Sequence, residues 1–184
     1  WCTKELKNRF YKTNNDWKII HGSILDKKFL VSLGKFDYVY SWGVLHHTGN
    51  MWNALDNVID LVKQEGVLFL ALYNHQQLAS KYWIFVKKTY NKIPFTRPLW
   101  IFIHFLYPTL PSVILKYLQN RKTPRGMTIY YDLLDWLGGY PFEVSSPNEI
   151  FNFYKTKGFI LTQVKTVGGK LGCNEFVFRR LMSK

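Results

Sequence analysis

The sequence predicts an α/β fold built on a mostly parallel sheet, and three observations predict it. Residues 1–74 alternate helical and strand patterns in the order α-β-α-β-α-β, which calls for parallel strands joined by right-handed crossovers. Val67-Leu68-Phe69-Leu70-Ala71-Leu72-Tyr73 is a continuous apolar run, the pattern of a strand covered on both faces. Near the carboxyl end, two strand patterns flank Gly168-Gly169-Lys170-Leu171-Gly172, a link short enough to make that pair antiparallel. With 184 residues and 47% hydrophobic content, a single sizeable core is within reach.

Each element has a local reason. Trp1, Leu6 and Phe10 recur at near-helical spacing among Lys and Arg, so an amphipathic helix is expected up to about residue 13, ended by Asn14-Asn15-Asp16. Trp17 to His21 reads as a short strand closed by Gly22-Ser23. Asp26 is placed to cap a short helix carrying Phe29, Leu30 and Leu33, with Gly34 as its stop. Phe36 to Ser41, rich in β-branched and aromatic residues, reads as a buried strand ending at a Ser-Trp-Gly corner. Asn50 then begins a helix with Trp52, Leu55, Ile59 and Val62 on its face, and Gly66 ends it.

The rhythm breaks after Asn74. Residues 76–91 predict a helix with Leu78, Tyr82, Phe85 and Thr89 on one side. Residues 98–118 are mostly apolar, but Pro108, Pro111 and His104 interrupt them, so a lid burying aromatics is favoured over a membrane span. Basic residues on either side, among them Lys87, Lys88, Arg121 and Lys122, leave peripheral membrane contact through 98–118 as an alternative. Ser146-Pro147-Asn148-Glu149 is a capping box, and its helix, with Ile150, Phe151 and Tyr154 inward, ends at Gly158. Strands over 159–167 and 175–179 close the chain. Three parts result: a core over 1–74, a helical aromatic-rich insertion over 75–137, and a carboxyl-terminal helix with two strands over 138–184.

Charge bounds the partners. Twenty-five Lys and Arg against 12 Asp and Glu give +13, a balance that attracts phosphates, acidic headgroups, nucleic acid or an anionic substrate. The blander reading is a compositional habit of a Lys-, Asn-, Ile- and Tyr-rich chain. Cys2 and Cys173 have no metal spacing and make no disulfide framework, which fits a reducing cytoplasm. Trp1-Cys2-Thr3-Lys4-Glu5-Leu6 reads as the interior of a helix with no initiator Met, so the chain is expected to be a fragment.

The stretch that organises the chain is Lys35–Asn50, KFDYVYSWGVLHHTGN. In an open parallel sheet, ligands sit outside the carboxyl ends of the strands, and this stretch brings an indole, a glycine and two imidazoles there. Together with His21-Gly22-Ser23-Ile24-Leu25-Asp26, Gly66 to Asn74 and the terminal GFILTQV and CNEFVF segments, it resembles class I S-adenosylmethionine-dependent methyltransferases of the type 11/12 kind. The resemblance implies a Rossmann-like sheet in the order 3-2-1-4-5-7-6, last strand antiparallel. Against that pattern the chain holds strands three to seven and lacks strands one and two, with their glycine loop and ribose-binding acid. Such a piece, with unpaired strand edges, is expected to aggregate or fold poorly when isolated.

The resemblance also implies site residues. Ser23, Ile24 and Asp26 would form the adenine slot of S-adenosyl-L-methionine, although Ser23 and Asp26 are equally placed to cap local turns. Ser41, Trp42 and Gly43 would pass beside the methionine and sulfonium, and core packing is the alternative for Trp42. His46 or His47 would act as base, since imidazole titrates near neutrality, against a structural role for both. Tyr73, Asn74, His75, Trp136, Tyr140 and Glu143 would contact a small-molecule, glycan or lipid-precursor acceptor, or else pack the lid. No metal-ligand spacing and no phosphate loop occur. RNA binding or RNA methylation is the competing reading. The dispersed basic residues and the lack of an Asn/Asp-Pro-Pro-aromatic signature argue against it.

Overall fold

A computed structural model describes residues 18–109, 111 and 128–182. The expected helix over 1–13 and much of 98–118 lie outside the described residues. Asp26 accepts hydrogen bonds from the amides of Lys28 and Phe29 and starts helix α1, Lys27–Leu33. Strand β1, Phe36–Trp42, leads through a 3-10 turn, Leu45–His47, into α2, Met51–Ile59. Strand β2 is Val62–Tyr73. Three helices follow: α3, Gln77–Lys92; α4, Arg97–His104; and α5, Ile129–Gly138. Helix α6, Pro147–Thr156, and strands β3, Phe159–Lys165, and β4, Cys173–Arg180, complete the described chain.

The sheet order is β1-β2-β4-β3. Strand β1 runs parallel to β2, and β4 runs antiparallel to both β2 and β3. The expected antiparallel closing pair is therefore present. The capping box of α6 is complete, with Ser146 and Glu149 exchanging hydrogen bonds around Pro147. Inside α6, Tyr154 is fully buried and donates its hydroxyl to the Leu55 carbonyl at 3.0 Å. One core cluster joins Leu55 and Val58 of α2, Leu68, Leu70 and Leu72 of β2, and Ile150 of α6 with Phe176 and Phe178 of β4. A second joins Trp83 and Val86 of α3 to Leu133 and Leu137 of α5 and to Phe142.

Five expectations are corrected. Lys18–His21 form no strand; they pair with no other segment among the described residues. Strand β1 is not buried: it is the sheet's edge among the described residues, with Tyr38 79% and Tyr40 71% exposed. The 67–73 run is filled on one face by Leu68, Leu70 and Leu72 and covered only in part on the other, where Ala71 is buried, Tyr73 packs against the second cluster, and Val67 and Phe69 are half-covered. Helix α3 turns the opposite side inward from the one expected. Ser80, Trp83, Val86 and Lys87 are buried, the last three against α5, and Leu78, Tyr82 and Phe85 are exposed.

The fifth correction concerns Gly66. Helix α2 ends at Ile59, not at Gly66, and Val62 already belongs to β2. Trp52, expected on its packed face, is exposed, while Met51, Ala54, Leu55 and Val58 are buried. Between register pairs Phe36–Val62 and Tyr38–Val67 the β2 backbone bulges, with Glu65 at a φ of 60°. A Cβ on Gly66 would lie 2.9 Å from the Lys63 carbonyl oxygen and 3.2 Å from that of Asp37. Backbone cannot move aside as a side-chain tip can. Gly66→Ala is expected to cost about 1–3 kcal/mol, read as a lowered denaturant midpoint with unchanged slope.

Candidate functional site

A cavity of about 710 Å³ opens at the carboxyl ends of β1 and β2. Trp42 and Gly43 line it from the end of β1, His47 from the 3-10 turn, and Tyr73 from the end of β2. Lys87 of α3, Asp132, Asp135 and Trp136 of α5, and Gly139 just beyond α5 form the opposite wall, while Leu171 to Cys173 and Glu175 close the β4 side. The sheet places it there because parallel strands end together, and the helices following β2 fold back over that edge.

Gly43 has a φ of +74°, which favours glycine, and its amide bonds the Ala71 carbonyl at 3.1 Å. A Cβ at this position would meet nothing within 4 Å, so bare backbone borders open space.

The two histidines separate sharply. His46 has no exposed surface, and its Nδ1 accepts the Tyr73 amide at 3.2 Å. An amide only donates, so the neutral ring carries its hydrogen on Nε2. Burial, with the neighbouring His47 and Lys87 charges adding to it, lowers the His46 pKa to about 3. His46 braces the turn against β2 and does not line the cavity. His47 does line it. Its Nδ1 lies 2.6 Å from the Pro141 carbonyl oxygen, which can only accept, so the lone pair sits on Nε2. Burial lowers the His47 pKa, partly offset by that hydrogen bond.

Lys87 was not among the expected site residues. Only 1% of it is exposed; Nζ donates to the Trp136 carbonyl and sits 4.0 Å from the Trp136 ring centroid and 5.0 Å from that of Phe142. Burial lowers its pKa to about 8, against the pull of Asp135. A lysine inside a helical pattern reads as a solvated face, so its sequence carries little signal. The only hint is its place four residues after Trp83 on the stripe that proves to be buried.

Of the remaining expected residues, Trp42, Gly43, Tyr73 and Trp136 come together at the cavity. Ser23, Ile24, Asp26, Ser41, Asn74, His75, Tyr140 and Glu143 do not line it. The Ser23 hydroxyl accepts the Leu25 amide, Asp26 caps α1, and Ile24 packs against the core. Asn74 bonds the Gly168 carbonyl and the Asn174 amide, tying the closing hairpin to β2. The His75 amide bonds the Ser145 carbonyl. Both Glu143 carboxylate oxygens accept the Met51 amide, at 3.0 and 3.2 Å, at the positive end of the α2 dipole. Glu143→Ala is expected to destabilise the fold by about 1–2 kcal/mol, measured by chemical denaturation, with Glu143→Gln less affected.

No protein-family model and no curated protein matches the chain. Solved structures do. PKMT2 from Rickettsia typhi, in complex with AdoHcy, superposes with a TM-score of 0.55 and 15% identity over 96% of this chain. An O-methyltransferase family protein from Burkholderia thailandensis gives 0.52 and 12% over 100% of this chain. The chain spans 41% of the length of each. The likeness shows that the chain shares the fold of these two structures, and the observed order β1-β2-β4-β3 matches the 4-5-7-6 part of the strand order that the sequence resemblance implies. Among the described residues, no helix is long and apolar enough to cross a membrane.

Proposed function

We propose that the chain belongs to an enzyme that transfers a methyl group from S-adenosyl-L-methionine to a small-molecule, glycan or lipid-precursor acceptor. One observation carries the reading: the cavity opens at the carboxyl ends of two adjacent parallel strands and is lined by both the bare Gly43 backbone and His47. The residues present fit the methionine end of that cofactor. Trp42 and Gly43, which line the cavity, offer backbone oxygens suited to a sulfonium, and no side chain blocks close approach at Gly43. The Ser23–Asp26 turn is the proposed adenine edge. When bound, the cofactor supplies an electrophilic methyl on sulfur; the protein's part is alignment, exclusion of water and proton handling. Tyr73 and Trp136, edge to face at 5.7 Å, form an apolar wall for the acceptor. His47 takes the acceptor's proton on Nε2, while Nδ1–H stays held by Pro141.

The test is incubation of the full-length protein with S-adenosylmethionine carrying a labelled methyl, against phenols, carboxylic acids, amines, saccharides and RNA. Label in a small molecule supports the reading. Label in RNA alone, or in nothing, contradicts it.

A further inference from the structure

The cavity wall holds a buried charge with no ion pair among the described residues, Asp135 acting on it only from a distance. Lys87 Nζ is buried, shares one hydrogen with the Trp136 carbonyl, and has no carboxylate oxygen within 4.0 Å among the described residues. An ammonium removed from water without a counterion is costly, and a lysine of this kind is stabilised by any anion that reaches it. The group remains mostly protonated at neutral pH. Gly139 lets the backbone come close to Lys87 and His47 at the cavity wall. A Cβ there would lie 3.4 Å from Lys87 Nζ and 3.2 Å from His47 Cε1, so the two groups stand side by side against this backbone where they line the cavity. Around it stand flat apolar surfaces, the rings of Tyr73 and Trp136.

We propose that the acceptor carries an acidic oxygen, a phenol or a carboxylic acid, on a planar apolar body, and that Lys87 holds this oxygen as an anion on the cavity wall it shares with His47. The proposal rests on the methyl-transfer reading and names its substrate class. A phenol reaches the anionic form by giving its proton to His47 Nε2, its oxygen keeping the electron pair; a carboxylic acid arrives ionised. Asp132, Asp135 and Glu175 line the same cavity and favour a cationic acceptor instead. They weigh less. Asp132 and Asp135 are exposed, where solvent screens their charge, and Glu175 faces Lys165 at 3.9 Å.

Three probes decide on the full-length protein by titration calorimetry at pH 7: benzoate, 4-nitrophenol and benzylamine. The expected result is that benzoate or 4-nitrophenol binds at least tenfold more tightly than benzylamine, with 4-nitrophenol showing the absorbance of its phenolate when bound. Which of the two binds better separates a carboxylate from a phenol. Lys87→Met, which replaces the ammonium with an apolar chain of similar length and is expected to fold, should remove the preference. Gly139→Ala, which keeps the charge but sets a methyl against Lys87 Nζ and His47 Cε1 and so displaces them, should weaken the anionic probe at least fivefold. Thermal unfolding of each variant shows that it is folded, and Gly139→Ala decides alone where Lys87→Met is not. Tighter binding of benzylamine, or a preference unchanged in the folded variants, overturns the proposal. S-adenosylmethionine is titrated in parallel. Cofactor binding without the anion preference removes only this proposal, whereas the preference without cofactor binding removes the methyl-transfer reading.

Discussion

His47→Ala should lower methyl transfer to a phenolic acceptor by about 10²–10⁴-fold, the usual worth of a positioned general base, mainly in kcat. Three observations combine here. The ring lines the cavity, the Pro141 carbonyl fixes its tautomer with the lone pair on Nε2, and burial lowers its pKa so that the neutral form prevails at pH 7. The sign follows from the lowered pKa. Transfer by the wild type should be flat around neutrality and fall as pH drops through the His47 pKa, below the ordinary value of 6.5. A carboxylic acid acceptor has no proton to give at neutral pH, so its methylation should lose far less in the variant. Steady-state rates for both acceptors, with S-adenosylmethionine affinity measured separately, check this. An equal loss for both acceptors would make His47 a structural residue.

Acidification should destabilise the fold, and His46 should account for the largest single share. Its folded-state pKa is about 3 against an ordinary value of 6.5, because burial disfavours the imidazolium. The sign is set by proton binding. Between pH 6.5 and about 3 the unfolded chain takes up a proton that the folded chain refuses, so stability is present above 6.5 and is lost as pH falls. The slope approaches about 1.4 kcal/mol per pH unit in the middle of that window. His46→Asn carries no ionisable ring, and its Oδ1 can take over the acceptor role toward the Tyr73 amide. Thermal unfolding from pH 7 to pH 4 should therefore be distinctly flatter in His46→Asn than in the wild type. Parallel curves would mean that His46 carries its proton in the folded state.

The fold was legible where local chemistry is self-contained. The Ser146–Glu149 capping box, the Asp26 cap and the glycine-rich link before β4 each depend on a few neighbouring residues, and each formed as read. Errors arose where the answer lies in the partner. Leu78, Tyr82 and Phe85 are as apolar as Trp83 and Val86, and only the position of α5 decides which side of α3 is buried. Gly66 is a helix stop by local rules; what it serves is the bulge beside Asp37, a contact made across strands.

The site divides in the same way. Trp42 and Gly43 follow from the strand end, and Tyr73 follows from the end of the apolar run. Two adjacent histidines look alike in sequence, and their separation into a buried brace and a cavity residue depends on Tyr73 and Pro141, 27 and 94 residues away. Asn74 and Glu143 were drawn by polarity toward an acceptor, yet they satisfy the hairpin and the α2 amino terminus. Lys87 had no local signature. Its role is visible only with α5 and Phe142 packed around it.

The most direct measurement is titration of S-adenosylmethionine into the full-length protein and its Gly43→Val variant, with thermal unfolding of both as a folding control. The cavity assigned to the methionine end predicts saturable one-to-one binding that weakens at least tenfold in the folded variant, where a branched side chain stands in the space beside Gly43. No binding to the wild-type protein, or equal affinity in the two proteins, would contradict the assignment.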